Sequence, residues 1–266
     1  MSVVFIFVFG LGLIVGSFLN VVVLRYGTGL SVVRGRSRCF SCDHVLTVRD
    51  LVPLFSYLLS MGRCRYCGSR ISLQYPLVEL STAILWTLVI MWYAPLVLNV
   101  PTMLSITGLL IFVSLCVAIA VYDLRHKLIP DVFSYTAAGA ALVYVVGYMD
   151  PMILFWHLVA ATGAFLFFYV LWRVSSGTWM GLGDGKLAIS TGLLLGPSGA
   201  LAALLFAFWS GAIISLVIII VRRLAGAPST VTMKSEIPFA PFIIVGTLVC
   251  LFLRIDMGTI AAVLTI

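Results

Sequence analysis

Charge is scarce in this sequence. Of its 266 residues only 9% are charged, while 62% are hydrophobic. A soluble domain carries roughly a quarter charged residues, so a globule bathed in water is excluded: it could not cover its surface. Acids are scarcest, nine Asp and Glu against sixteen Lys and Arg. Period-2 alternation is missing from the apolar segments, which excludes a membrane β-barrel. No serine sits in a nucleophile elbow or beside an evident base. No glycine-rich loop of the Rossmann type is visible.

What the chain has instead is long apolar runs. A helix in lipid satisfies its own backbone and turns apolar side chains outward, and one crossing takes ~20 apolar residues. The runs predict an all-α polytopic membrane protein of about eight transmembrane helices, at 3–24, 77–98, 102–122, 132–148, 152–172, 187–197, 199–221 and 239–255. Gly196 and Pro197 interrupt the sixth. The first run lacks a basic leader and a small-residue cleavage site, and its apolar stretch is too long for a signal peptide. It is expected to be a retained helix.

Basic residues are confined to alternate connections. Segment 25–75 carries eight arginines, from Arg25 to Arg70; Arg125 and Lys127, Arg173 and Lys186, and Arg222, Arg223 and Lys234 lie in three more. Of the sixteen, only Arg254 falls elsewhere. The positive-inside rule places these connections in the cytoplasm, with both termini outside. Topology and anionic lipid account for the net charge of +7, and no nucleic-acid partner is expected. The expected division is 1–24 as first helix, 25–76 as a cytoplasmic zinc-binding segment between helices 1 and 2, and 77–266 as a helical bundle.

Four of six cysteines form the pairs Cys39/Cys42 and Cys64/Cys67, with twenty-one residues between the pairs. Two C-x2-C turns make a tetrahedral zinc site. Disulfides are the competing reading, and the reducing cytoplasm disfavours them. A four-thiolate site is closed and structural. His44 reads as a bystander; Cys116 and Cys250 lie in spans and read as packing residues.

The acids are few enough to weigh singly. Asp43 and Asp50 read as solvated, and Asp150 and Asp256 fall on the outer side. Glu79 lies in the first turn of the second span, where it either complements the helix dipole or binds a cationic group. Asp131 reads as a cap. Asp123 ends the third span, where the dipole disfavours a negative charge, and acids at such depth are functional candidates. Asp184 lies in Gly181-Leu-Gly-Asp-Gly-Lys186, before the sixth span. Both are expected at the cytoplasmic boundary, where they can meet. Two carboxylates at one site share a proton, so one activates water while the other donates to a scissile carbonyl. Lys186 either biases the pair or snorkels. His157 is expected to be buried in mid-span with no clear partner.

Taken together the motifs resemble the bacterial type 4 prepilin peptidases, the leader peptidase and N-methyltransferase family. The resemblance runs through Gly16-Ser-Phe-Leu-Asn20, the paired cysteines, Asp50-Leu-Val-Pro-Leu-Phe-Ser-Tyr57, Gly62-Arg-Cys-Arg65, Tyr75-Pro-Leu-Val-Glu79, Asp123 with Ile129-Pro-Asp131, Gly181 to Lys186, and Ile237-Pro-Phe-Ala-Pro-Phe242. It implies an inner-membrane aspartic peptidase using Asp123 and Asp184. Its substrates would be prepilins and pseudopilins, cut on the cytoplasmic side after a short basic leader ending in Gly. Methylation of the new N-terminus by S-adenosylmethionine is implied by resemblance alone, with Glu79 a candidate to hold the α-amino group. Departures include Ala240, where the family often has Gly. That difference is expected to narrow a backbone approach and to leave the aspartates untouched. Peptidase without methylation, a transporter with acidic ion sites and a zinc-anchored scaffold are the alternatives; the clustering of acids at one edge disfavours transport.

Overall fold

The computed structural model describes residues 2–93, 99–148, 150–224 and 238–265. The end of the second predicted span, 94–98, and Lys234 and Ile237 lie outside these residues. Nine helices follow in order among the described residues: α1 (Ser2–Arg25), α2 (Phe55–Leu59), α3 (Gln74–Tyr93), α4 (Val100–His126), α5 (Asp131–Tyr148), α6 (Pro151–Val174), α7 (Leu182–Leu224), α8 (Ala240–Leu253) and α9 (Met257–Leu264). The same residues contain no strand, only two isolated bridges. The all-helical fold class thus stands.

The count of eight spans is not confirmed. Among the described residues five helices are long and apolar enough to cross a bilayer: α1, α3, α4, α6 and α7. The pair α8 and α9, bent by 79°, makes a sixth if taken as one span. α5 is apolar but short. The predicted sixth and seventh spans form one 43-residue element, broken only by the non-helical backbone of Gly196 (φ 68°, ψ −174°). The reason is length: segment 187–197 rises only about 16 Å, half of a hydrocarbon core of ~30 Å.

The chain divides into two compact units, residues 1–96 and 97–266. In the first, α1 lies on α3. The helices touch so closely that a Cβ on Gly16 would stand 2.6 Å from the Glu79 Cα, so no larger residue fits there. Asn20, almost wholly buried, donates to the Tyr75 carbonyl at 3.2 Å and accepts from the Gln74 amide at 3.2 Å. It fastens the end of α1 to the start of α3.

In the second unit α7 packs on α5, α6 and α8, and α4 on α5 and α8. Phe112, Ile119, Phe168, Leu187 and Ile243 fill the core. Asn99 caps α4 by accepting from the Thr102 N–H, with Pro101 in the first turn. Asp150 caps α6 and Asp256 caps α9 in the same way, which accounts for both acids structurally.

α7 is interrupted by a specific device. Pro197 has no N–H to offer the Leu193 carbonyl four residues back. His157 of α6 supplies the donor: its Nδ1 lies 2.7 Å from the Leu193 oxygen. A Cβ on Gly196 would meet His157 Nε2 at 2.9 Å, and the positive φ favours glycine there as well. The expectation that His157 lacks a partner is corrected.

Candidate active site and metal centre

The four paired cysteines come together. Their sulfurs all lie within 4.8 Å of one another, and Cys39 Sγ and Cys67 Sγ are 3.9 Å apart. Tetrahedral zinc with 2.3 Å Zn–S bonds sets its sulfurs roughly 3.8 Å apart, so the cluster is close to that size. All six cysteines are free thiols.

The two knuckles repeat one another. The Cys39 N–H donates to the His44 carbonyl at 3.0 Å and the Cys64 N–H to the Ser69 carbonyl at 2.8 Å. Bridges Arg38–Val45 and Arg63–Arg70 close the two turns. Asp43 and Gly68, each following the second cysteine of its pair, take φ of 54° and 73°.

The thiols do not titrate alike. The Ser41 and Cys42 backbone hydrogen bonds pull Cys39 down to about 6. Hydrogen bonds from the Ser69 hydroxyl and backbone lower Cys67. Cys42 goes the other way, to about 11: the His44 backbone pulls it down, but desolvation and the Cys39 and Cys67 sulfurs push harder. Four thiolates cannot all be charged at this spacing without a cation among them. The donor set therefore fits a metal ion.

Around the cluster, His44 stacks on Tyr66 with ring centroids 3.6 Å apart and offers no ligand. Asp50 is not solvated as expected. Its Oδ2 accepts from the Thr47 N–H, the Thr47 hydroxyl and the Tyr66 hydroxyl at 2.8–3.0 Å, with Arg65 3.6 Å from Oδ1. Asp43 is exposed and pairs with Arg38 at 2.7 Å.

Glu79 is buried in the second turn of α3 rather than the first, because that helix begins at Gln74. Its Oε2 accepts the Leu54 N–H at 2.7 Å, and Ser17 of α1 bonds the same carboxylate. Leu54 holds a positive φ of 62°. The acid thus ties the segment between the knuckles to α3.

In the second unit three helix ends converge on two acids. Asp123 lies in the last turn of α4, where its carbonyl receives the Lys127 N–H. Asp184 lies in the first turn of α7. Both are buried, 4% and 8% exposed, and the two carboxylates interact electrostatically. The first residue of α8, Ala240, donates its N–H to Asp123 Oδ2 at 3.2 Å. Asp123 is badly placed for its own helix, yet the N-terminal end of α8 meets it with the opposite partial charge.

Packing holds these ends in place. Phe239, one residue before Ala240, sits among Phe168, Phe208 and Phe242, with ring centroids 5.1–6.4 Å away. A Cβ on Gly183 would lie 3.1 Å from that of Ile129, so the two turns nest. Lys186 closes the junction: its Nζ is 2.6 Å from Asp131 Oδ1 and 5.9 Å from the Tyr135 ring centroid. Lys186 therefore engages Asp131, which was expected to cap α5 but is its first helical residue.

The expectation that Ala240 leaves the aspartates untouched is corrected, since its backbone bonds one of them. The motif around Ala240 was visible in the sequence. A backbone donor has no side-chain signature, so its role was not.

Comparison with known proteins gives a consistent result. Residues 10–93 match the bacterial peptidase A24 N-terminal domain, and residues 110–216 match the type IV leader peptidase family. The chain is 38% identical over 240 residues to a prepilin leader peptidase/N-methyltransferase of Myxococcus xanthus, covering 87% of this chain and 68% of that one. It is 32% identical to the protein of the same name in Bacillus subtilis, covering 93% and 92%. It is 29% identical to the type 4 prepilin-like proteins leader peptide-processing enzyme of Escherichia coli, covering 91% of each. No solved structure matches.

Proposed function

This chain belongs to the type IV leader peptidase family, and from that premise we propose that it cleaves leaders from prepilins and pseudopilins and N-methylates the new amino terminus. It is a multi-pass protein of the bacterial inner membrane, and the cut is made at the cytoplasmic face, the side to which the basic connections point under the positive-inside rule. What supports the peptidase reading is that Asp123 and Asp184, two buried acids from different helices, lie near enough to interact electrostatically. The family match favours this over ion transport.

The geometry suggests how the work is divided. An amide N–H can only donate, so Ala240 fixes Asp123 Oδ2 as an acceptor. The proton that two such acids share then lies on Asp123 Oδ1 or on Asp184. Asp123 takes a proton from water as the water attacks the scissile carbonyl. Asp184 gives its proton to the carbonyl oxygen; as the gem-diol collapses, Asp123 passes the proton it took from water to the leaving nitrogen and Asp184 recovers its proton from the gem-diol hydroxyl. An acid at the edge of the bilayer suits a substrate whose cut site abuts an apolar segment held in the membrane.

The cysteine cluster holds structural zinc in this reading. It staples a basic segment too polar to build a core of its own. S-adenosylmethionine supplies the methyl group. Among the described residues no strand–turn–helix nucleotide loop occurs, and no residue is assigned to hold the donor. Glu79 is the acid of the first unit to which a new α-amino group would come; it would compete there with the Leu54 N–H.

The test is leader removal from a purified prepilin by the parent protein, Asp123→Asn and Asp184→Asn. Loss of a general acid or base costs roughly 10²–10⁴-fold, so each variant should fall by at least that range. Full cleavage by either one would sink the pair. Mass spectrometry of the mature product with and without S-adenosylmethionine checks the second activity.

A further inference from the structure

Residues Leu51 to Gly62 form a twelve-residue stretch with no charge, set between the two cysteine knuckles. A soluble surface would not carry it as it stands. Phe55, Leu58, Leu59 and Met61 are 58–88% exposed. The segment is also anchored well along a spanning helix. The Leu54 N–H bonds Glu79 Oε2, and Glu79 is the sixth residue of α3, about 7.5 Å beyond the helix start. At that level Gly16 of α1 packs against the Glu79 backbone. The segment therefore flanks α3 inside the span rather than above it.

Its backbone suits that depth. In lipid every backbone donor needs an internal acceptor. Pro53 has no N–H, the Leu54 N–H goes to Glu79, and the Ser56, Leu58, Met61 and Gly62 N–H groups bond carbonyls of the same segment. The flanks differ sharply: Arg49 precedes the stretch and Arg63, Arg65 and Arg70 follow it.

We propose that Leu51–Gly62 is an interfacial element embedded in the leaflet that α1 and α3 cross, with its apolar side chains among the acyl chains and the flanking arginines at the lipid phosphates. The cysteine knuckles are then held at the headgroup level by lipid as well as by the two helices. The inference is independent of the peptidase reading, since it uses neither Asp123 nor Asp184.

The experiment uses the full-length protein in vesicles of phosphatidylethanolamine and phosphatidylglycerol. A fluorescent amino acid is placed at Leu59, and in a second protein at Arg36 of the polar loop. Quenching by lipids brominated on their acyl chains should be several-fold stronger at Leu59 than at Arg36, and quenching by aqueous acrylamide several-fold weaker. Equal access of acrylamide to both positions overturns the proposal. Protection of Leu59 from both quenchers also overturns it, because a second copy or another protein would then cover the patch. A label at Leu58, with helical content matching the parent, keeps the answer decidable if the Leu59 position perturbs folding.

Discussion

The break in α7 makes a quantitative test possible. His157 Nδ1 lies 2.7 Å from the Leu193 carbonyl, which Pro197 leaves without its helical donor. Both groups are buried or nearly so, so removing the imidazole leaves a carbonyl with no partner. The cost of such an orphan is about 1–3 kcal/mol. His157→Leu should therefore destabilise the protein by that amount. His157→Asn, whose amide nitrogen falls near the position of Nδ1, should recover most of it. The decisive variant is Pro197→Ala, which returns an N–H to position 197 and, once Gly196 takes helical angles, lets the Leu193 carbonyl regain a helical partner. In that background His157→Leu should cost at least about 1 kcal/mol less, a coupling measurable in a double-mutant cycle. The assay is reversible unfolding of the purified protein in mixed detergent micelles, followed by circular dichroism. Strict additivity of the two substitutions would refute the argument that histidine stands in for the missing backbone donor.

Two further predictions follow from the sites. Metal retention should depend on pH with a definite sign. The thiolate, not the thiol, is the metal ligand, so zinc measured by elemental analysis after dialysis should stay bound at pH 7.5 and leave on acidification, in line with proton competition for thiolates; full retention at pH 4 would overturn the four-thiolate assignment. At Ala240, replacing the backbone N–H by an ester oxygen should lower prepilin cleavage roughly tenfold to a hundredfold, since a hydrogen bond to a carboxylate is worth about 1.5–3 kcal/mol. Ala240→Gly keeps the N–H and should cleave within a fewfold of the parent; equal rates for the ester and the parent would remove Ala240 from the site.

Much of the architecture could be read from composition. Apolar runs mark helices whatever their neighbours are, and a C-x2-C spacing marks a knuckle because the turn itself brings the thiols together. Asp123 and Asp184 stood out for a related reason: an acid at the end of an apolar run has no local benefit to explain it. The span count is left unconfirmed where length decides, because a run of apolar residues does not reveal whether a break ends a crossing or merely bends it. Gly196 and Pro197 were visible, but the donor that lets α7 pass through them comes from His157, thirty-six residues before the Leu193 carbonyl it serves.

The residues that escaped notice share one property: their partners are backbone groups. Leu54 reaches Glu79, and Ala240 reaches Asp123, through an N–H that every residue except proline carries. Sequence identity at such a position constrains only what the backbone needs. For Ala240, which is fully buried, that is a side chain no larger than a methyl group, and a φ and ψ at Phe239 of −95° and −22°. Proline at 240 would remove the donor and also disfavour that Phe239 conformation, so it would confound two effects that the ester separates. Glycine and alanine both satisfy the requirement, so a chain carrying alanine where relatives often carry glycine can keep the same carboxylate in the same place.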